Sequence, residues 1–296
     1  MNFFQACFCI NFALFGLSEA FNSHKASFQV RYQGEISPYN VNAVFLLPGE
    51  ILTLEALDQG TKTRTIKWKA PESIGVYSFF IPSLSNVDSV CFNIFVMVPA
   101  SELKGGYLRG YPIGDYPSTS LKNLDFYKVP RGFIKMDFES AKIKVSPHFT
   151  LGQFFCKQSM DLPAYLFLKE RLLLKLEWVL ERANAAGFAC STFTVMGGYR
   201  TPHYNSLLGN VRNSSHQFGG AADIFIDANP KDGKMDDLNG DGKSNQDDAQ
   251  LLFDLADATK QKEYPLDYMG GISIYPKTPS HGPFVHIDVR GFQAIW

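Results

Sequence analysis

The sequence predicts an α+β protein in which an N-terminal β-sandwich precedes an α+β domain with an antiparallel central sheet. Short apolar segments separated by turn residues recur at regular intervals between residues 26 and 99, which is typical of a sandwich. A single long amphipathic pattern lies between 164 and 186, and strand-like segments follow it. We therefore expect a signal peptide at 1–20, a sandwich at 21–115, a linker at 116–146 and a second domain at 147–296 with an insertion at 229–262.

Composition and charge are those of an ordinary globular protein. The chain has 296 residues, of which 45% are hydrophobic and 19% charged, and its formal net charge is −1. This balance gives no indication of a nucleic-acid partner, which requires a basic surface. Residues 1–20 are apolar and end in Ser18, Glu19 and Ala20, the small-residue pattern that signal peptidase prefers. We expect cleavage after Ala20 and a periplasmic or secreted protein without a membrane span; the alternative is a buried N-terminal helix.

The predicted sandwich is immunoglobulin-like in the spacing of its strands. They are expected at 26–33, 42–48, 51–57, 63–70, 76–82 and 90–99. Trp68 is expected to anchor the core between the sheets. Since no group of ionisable side chains in this domain suggests chemistry, we expect it to position the second domain or to contact a partner.

The second domain is predicted to contain one long helix. Apolar residues recur there at steps of three and four, namely Leu168, Leu172, Leu176, Val179 and Ala183. This stripe predicts a helix from about Ala164 to Ala186 that ends before Gly187 and faces the core. Cys156 and Cys190 both lie in this domain and are expected either to pair or to be buried free thiols.

Two segments place two histidines and an aspartate in a pattern that suits a metal ion. His216 lies seven residues before Asp223, with the pair Gly219 and Gly220 between them, and His286 lies in the strand-like segment FVHIDVR at 284–290. A structural zinc site is closed by four protein ligands, whereas a hydrolytic site uses three and keeps a position for water. Asp223 lies in an apolar segment, where an unpaired carboxylate is costly to bury. The alternatives are an Asp223 paired with an arginine and a histidine satisfied within the core.

The segment SSHQFGGAAD at 214–223, preceded by GGYRTPHYN and closed by FVHIDVR, resembles the zinc D-Ala-D-Ala carboxypeptidase family of peptidoglycan peptidases. That family shares its core with the hedgehog signalling domain, and the resemblance covers about the last half of the chain. It implies that His216, Asp223 and His286 bind zinc. It also implies that Arg200, in GYRTP, holds a substrate carboxylate or the developing oxyanion.

The general base departs from the commonest pattern of that family. Many members have a glutamate three residues before the last histidine, and Pro283 occupies that place here. Other members use a histidine five residues before, which corresponds to His281. A histidine exchanges protons readily near neutral pH. We therefore expect His281 to act as the acid and base, with Asp288 as the reserve candidate.

A second motif lies between the two zinc-ligand segments. The segment DLNGDGKSNQDD at 237–248 resembles an EF-hand or dockerin-like calcium loop, with Gly242 at the sharp turn and aspartate in place of the usual final glutamate. The alternative is an acidic, solvated loop. The predicted calcium ligands are Asp237, Asn239, Asp241, Lys243 through its carbonyl, Asn245 and Asp248. Calcium there would be structural, stiffening the insertion.

Together these observations predict an exported zinc peptidase that acts on the peptide stems of peptidoglycan, as a carboxypeptidase or as an endopeptidase that cleaves crosslinks. Two alternatives stay open. One is a module that keeps zinc without turnover, as hedgehog domains do, and binds the cell wall or a partner. The other is calcium-dependent adhesion through the N-terminal domain.

Overall fold

A computed structural model describes residues 21–57, 63–85, 87–260 and 265–296. These residues form helices and several separate sheets, so the predicted α+β class is confirmed. The predicted signal peptide lies outside the described residues. Within the described ranges, no helix has the length and apolar character needed to cross a membrane.

The described N-terminal residues form seven strands in two sheets. Their bounds are β1 Lys25–Tyr32, β2 Glu35–Tyr39, β3 Val41–Leu46, β4 Ile51–Leu57, β5 Thr63–Lys69, β6 Gly75–Pro82 and β7 Ser89–Val96. One sheet has the antiparallel order β2-β1-β4-β5, and the other has the order β3-β7-β6 with β3 and β7 parallel. Val30 and Leu54 of the first sheet share a hydrophobic cluster with Phe92 and Ile94 of the second.

Trp68, which the sequence predicted to anchor the core, packs against this cluster but is only partly buried. In the part of the chain that the structure describes, it lies on β5 at the edge of its sheet, with β4 as the neighbouring strand. The indole packs against the ring of Tyr77, with centroids 6.2 Å apart. Alternation along the central strands fills the core instead, because Val30, Leu54 and Phe92 point inward and are fully buried.

The region between residues 97 and 169 consists of short strands and 3₁₀-helices. The strands are β8 Val98–Pro99, β9 Tyr107–Leu108, β10 Tyr111–Pro112, β11 Gly132–Met136, β12 Lys144–Ser146, β13 Phe149–Thr150 and β14 Ala164–Leu166. The 3₁₀-helices are Ala100–Glu102, Leu121–Asn123, Asp125–Tyr127, Ser140–Lys142 and Leu151–Phe154. Strand β11 pairs with both β8 and β14. The predicted linker segment therefore contributes to a sheet and buries Phe126 and Phe133.

The long helix α1 spans Glu170–Ala185. It begins later than expected because Ala164–Leu166 forms strand β14 against β11. The predicted stripe is confirmed, since Leu172, Leu176 and Val179 are fully buried. Their cluster also contains Phe45 of β3, so the apolar core continues from the second domain to the N-terminal sheet.

The remaining elements build the sheet that positions the candidate site. They are β15 Thr194–Gly197, α2 Pro202–Leu207, β16 Ala221–Phe225, α3 Gln246–Ala256, β17 Gly271–Tyr275, β18 Phe284–Asp288 and β19 Ala294–Ile295, with 3₁₀-helices Ser215–Phe218, Ala258–Lys260 and Leu266–Tyr268. The sheet order is β15-β16-β18-β17-β19, antiparallel except where β17 meets β19. Cys156 and Cys190 are buried as free thiols, so the pairing left open by the sequence is not formed.

Candidate metal centre

Two of the predicted ligands face each other across neighbouring strands. Asp223 of β16 is the register partner of His286 of β18, and directly paired residues project from the same face of an antiparallel sheet. On its other side, Asp223 pairs with Gly197 of β15. A Cβ at Gly197 would lie 2.6 Å from Asp223 Oδ2, so this position must be glycine for the carboxylate to lie where it does.

The third ligand reaches the sheet through a tight turn. His216 lies in the 3₁₀-helix Ser215–Phe218, which ends at Gly219 in the left-handed conformation with φ of 66°. A Cβ at Gly219 would lie 2.4 Å from the Phe167 carbonyl oxygen, and one at Gly220 would lie 2.3 Å from the Phe126 ring. The glycine pair therefore lets the chain turn against its neighbours and enter β16 at Ala221, two residues before Asp223.

The three ligand atoms converge on one point. His216 Nε2 lies 3.2 Å from His286 Nδ1 and 3.2 Å from Asp223 Oδ1, and His286 Nδ1 lies 2.9 Å from Asp223 Oδ1. Donors about 2.0–2.2 Å from a tetrahedral zinc lie roughly 3.3–3.6 Å apart, so an outward shift of a few tenths of an ångström accommodates the ion. The buried His216, Asp223 and His286 thus form a group that could hold a metal ion.

The outer atoms of the two histidines decide where their protons lie. His216 Nδ1 donates to the Gly198 carbonyl oxygen at 2.7 Å, which leaves Nε2 with its lone pair. His286 Nε2 lies 3.3 Å from Asp288 Oδ2 and donates to that carboxylate, which leaves Nδ1 with its lone pair. When both histidines are neutral, two imidazole lone pairs and a carboxylate oxygen therefore face one another, the arrangement that metal-binding histidines adopt with their outer partners.

The electrostatics of the group favour a positive charge at its centre. Burial disfavours a charged His286, but hydrogen bonds to Asp223 and Asp288 outweigh it and raise the pKa of His286 to about 9. Burial also disfavours an ionised Asp223, yet the two histidines hold the pKa of Asp223 well below its usual range. Burial lowers the pKa of His216, and Asp223 offsets this only in part. Without a cation, the site keeps a proton in its place.

Asp288, the reserve candidate for the general base, lies beneath this site. Its carboxylate is fully buried and accepts hydrogen bonds from Ser215 Oγ at 2.9 Å, from the Gly271 backbone N–H at 2.6 Å and from Arg290 Nε at 2.8 Å. Burial opposes ionisation, but hydrogen bonds from His286 and Arg290 hold the pKa of Asp288 well below its usual range. This geometry makes Asp288 an anchor for His286, because a carboxylate saturated with donors is poorly suited to exchange protons.

Arg200 and His281 line the same cleft as the three ligands, and the cleft has a volume of about 760 Å³. Arg200 lies beside the metal group, with Nη2 3.7 Å from Asp223 Oδ2. His281 donates from Nδ1 to the Gly282 carbonyl oxygen at 2.8 Å, and its ring meets the Phe284 ring edge-on at 5.1 Å. The sequence-predicted Arg200 and His281 are therefore brought together with the ligand group.

Three further residues of the site, Ser215, Arg290 and Trp296, were assigned no role from the sequence. Ser215 and Arg290 fix Asp288, and Arg290 Nη2 also donates to Ser215 Oγ at 3.0 Å. The Trp296 indole lies 5.4 Å from the His286 ring and 4.9 Å from the Arg290 guanidinium. Arg290 shares the two-residue period of His286 and Asp288, which was a usable signal, whereas the return of Trp296 to the site depends on the pairing of β19 with β17.

The predicted calcium loop forms a turn closed by its own side chains. Asp237 accepts hydrogen bonds from the backbone N–H groups of Gly240, Asp241 and Gly242. Asp248 is fully buried, and it accepts from Leu238 and caps the N-terminus of α3 together with Asn245. The loop thus has the turn expected at Gly242, while Asp248 bonds to backbone N–H groups that a calcium ion would have to share.

Comparison of the chain with models of protein families and with curated proteins found no match. Function is therefore inferred from the residues and geometry of the site itself.

Proposed function

We propose that this protein is an exported zinc metallopeptidase of the D-Ala-D-Ala carboxypeptidase type, acting on peptide stems or crosslinks of peptidoglycan. The observation that carries the proposal is the convergence of His216 Nε2, His286 Nδ1 and Asp223 Oδ1 within 3.2 Å of one another at the wall of an open cleft. Nitrogen and carboxylate donors suit zinc, and three protein ligands leave a position for water or substrate.

The roles of the surrounding residues follow from their atoms. A zinc ion, when bound, supplies a Lewis acid for the scissile carbonyl and lowers the pKa of water to about 7. Arg200 holds the substrate carboxylate or the developing oxyanion, since its guanidinium lines the cleft beside Asp223. His281 takes and returns protons through Nε2, because its Nδ1–H is committed to the Gly282 carbonyl.

The first experiment is digestion of purified peptidoglycan fragments by the chain from residue 21, with and without added zinc, read by mass spectrometry. Zinc-dependent loss of D-Ala defines a carboxypeptidase, and splitting of crosslinked dimers defines an endopeptidase. His216→Ala should abolish both activities together with zinc binding. His281→Gln should lower kcat by about 10²–10⁴-fold while zinc affinity is kept, as expected for an acid and base catalyst.

A binding module that keeps zinc without turnover is the second candidate, and Pro283 is the observation that favours it. Proline occupies the place of the glutamate base of many family members, and it provides no proton-carrying group. A folded, zinc-loaded protein that cleaves no peptidoglycan fragment would make this candidate the better one. Binding of the same fragments with micromolar affinity would then identify the ligand.

We further propose that the loop at 237–248 binds calcium and stiffens the insertion. The spacing of side chains with oxygen ligands around Gly242 supports this proposal. Calorimetric titration with calcium tests the proposal, with Asp241→Ala as the variant and Asp254→Ala, on the solvent side of α3, as the matched control. Calcium binding by both proteins, or by neither, contradicts it.

The remaining parts of the proposal concern organisation. We propose that the two N-terminal sheets form an immunoglobulin-like sandwich, with 116–146 linking it to the catalytic domain at 147–296. The hydrophobic cluster shared by the two sheets supports the sandwich. We propose that residues 1–20 are removed on export, and a wall-binding assay of the chain from 21 against its catalytic domain alone tests whether the sandwich contacts peptidoglycan.

A further inference from the structure

The cleft around the metal group has one wall made of aromatic side chains. Tyr275 and Phe284 stack face to face with centroids 4.7 Å apart, and Trp296 extends this surface next to His286. Trp296 is held at both of its polar ends, since its Nε1–H donates to Tyr275 Oη at 3.2 Å and Ser273 Oγ donates to its carbonyl oxygen. Nevertheless, 53% of its surface is exposed. A large ring that is fixed in place and left uncovered is a preorganised surface for a ligand.

The guanidinium of Arg290 lies next to the Trp296 ring, and its Nη1 is available to donate to a ligand. Arg290 uses Nε and Nη2 to bond Asp288 and Ser215, which fixes its plane. In the described part of the chain, no acceptor bonds to Arg290 Nη1. Its guanidinium carbon lies 4.9 Å from the Trp296 ring centre, so the apolar face and the free donors are adjacent.

The arginines that line the cleft favour a negatively charged ligand. The cleft lining contains two arginines, Arg200 and Arg290, and the only side-chain carboxylate in that lining, as far as the structure describes it, is the predicted metal ligand Asp223. Arg200 lies beside Asp223, whereas Arg290 lies beyond His286. The two guanidiniums therefore flank the metal group on different sides, and they can hold two separate carboxylates of one substrate.

We propose that Trp296 and Arg290 form a specificity subsite for a substrate residue whose aliphatic side chain ends in a carboxylate. The methylene groups would pack on the exposed Trp296 face while the carboxylate accepts from Arg290 Nη1. This inference rests on the proposed peptidase function and deepens it. Within peptidoglycan stems, diaminopimelate has such a side chain, whereas lysine has an alkyl chain that ends in an amine alone. Arg290 also lines a second cleft of about 710 Å³.

The test compares substrates that differ in one group. Three stem peptides, identical except for residue three, carry diaminopimelate, diaminopimelate with its side-chain carboxylate amidated, or lysine. The zinc-loaded protein should cleave the first with kcat/KM about tenfold or more above the other two, since a charge-assisted hydrogen bond is lost in both. Equal kcat/KM for the free and amidated forms overturns the subsite while leaving the peptidase intact. No cleavage of any of the three removes the proposed function and the subsite with it.

Variants separate the subsite from a structural role. Trp296→Leu should lower kcat/KM for the diaminopimelate peptide by about tenfold with zinc affinity unchanged, and Trp296→Phe should restore part of it. Arg290→Lys should reduce the preference for the free carboxylate over the amide. If Trp296→Leu affects only substrates that still carry saccharide, the aromatic wall binds glycan and the inference is wrong.

Discussion

Replacing Asp288 by asparagine tests whether this residue anchors His286 or transfers protons. Asp288 Oδ1 accepts from the Gly271 N–H at 2.6 Å, and Oδ2 accepts from Ser215 and faces His286 Nε2 at 3.3 Å. Arg290 Nε reaches both oxygens. In Asp288→Asn, either orientation of the amide puts its NH₂ group against one of these donors, so a buried donor loses its acceptor and Arg290 loses its counter-charge.

The size of the effect follows from these contacts. Loss of the carboxylate behind a metal-binding histidine weakens metal affinity by about 10–100-fold, which is roughly 1.4–2.7 kcal/mol. Breaking one partner of a buried ion pair costs about 3–5 kcal/mol, and we expect the lower end because 17% of the Arg290 side chain is exposed. At about 2–4 °C per kcal/mol, the metal-free variant should unfold roughly 6–12 °C below the wild type.

Two measurements check these values. Competition with a chromogenic chelator gives the zinc affinity, and circular dichroism gives the Tm of the metal-free protein. Asp227→Asn is the matched control, since Asp227 is another buried carboxylate but bonds the backbone of Asp232 and Gly233, away from the metal group. It should lower Tm and leave zinc affinity unchanged. If Asp288→Asn keeps wild-type zinc affinity but loses kcat, Asp288 acts in the chemistry and the anchoring argument is refuted.

Gly198→Ala should lower the free energy of unfolding by about 1–3 kcal/mol and weaken zinc binding, because its Cβ would lie 2.6 Å from Phe154 Cα and displace the carbonyl that orients His216. Urea unfolding measures the stability, and competition with a chelator measures the zinc affinity. Gly282→Ala is the control and should change neither quantity, because its Cβ would meet no atom within 4 Å. Removing zinc with a chelator should lower the Tm of the wild type, since zinc at 100 times its Kd stabilises the folded state by about 2.7 kcal/mol. If the chelator lowers the Tm of His216→Ala by the same amount, the metal binds elsewhere. Burial raises the pKa of Glu170 to about 7 in the folded protein, above its unfolded value near 4.5, so its contribution to stability is present below pH 4.5 and is lost as pH rises towards 7. In urea unfolding, Glu170→Gln should therefore be more stable than the wild type at pH 8 but not at pH 4.5. An equal difference in stability at both pH values would contradict this pKa shift.

The strands and the long helix were predictable because their signals are local. Each predicted N-terminal segment contains a strand of the structure, since alternating β-branched and aromatic residues mark a half-buried strand wherever it pairs. Strand β2, with the sequence EISPY, was missed because Ser37 and Pro38 read as a turn. It forms because it lies at the edge of its sheet beside β1, where the missing N–H of Pro38 is tolerated.

The start of α1 was wrong for a non-local reason. Residues 164–166 continue the apolar pattern of the helix, and nothing in their own sequence separates them from it. Their backbone instead pairs with Ile134, Lys135 and Met136 of β11, thirty residues earlier in the chain. Such pairing depends on tertiary packing, which overrides helix propensity.

The grouping of His216, Asp223 and His286 was predictable from their spacing, but the buried position of Asp288 was not. The two-residue period of β18 puts His286 and Asp288 on one face, which fits a base beside the metal as well as an anchor beneath it. The difference arises at β17, where a Cβ at Gly271 would lie 2.6 Å from Asp288 Oδ2 and 2.8 Å from the Trp296 ring. Because Gly271 has no side chain, the Asp288 carboxylate can accept a hydrogen bond from the Gly271 N–H, and Trp296 can lie over the strand next to His286. One glycine thereby makes room for both the anchor of the metal group and the aromatic wall of its cleft, and neither consequence can be read from the spacing of the histidines.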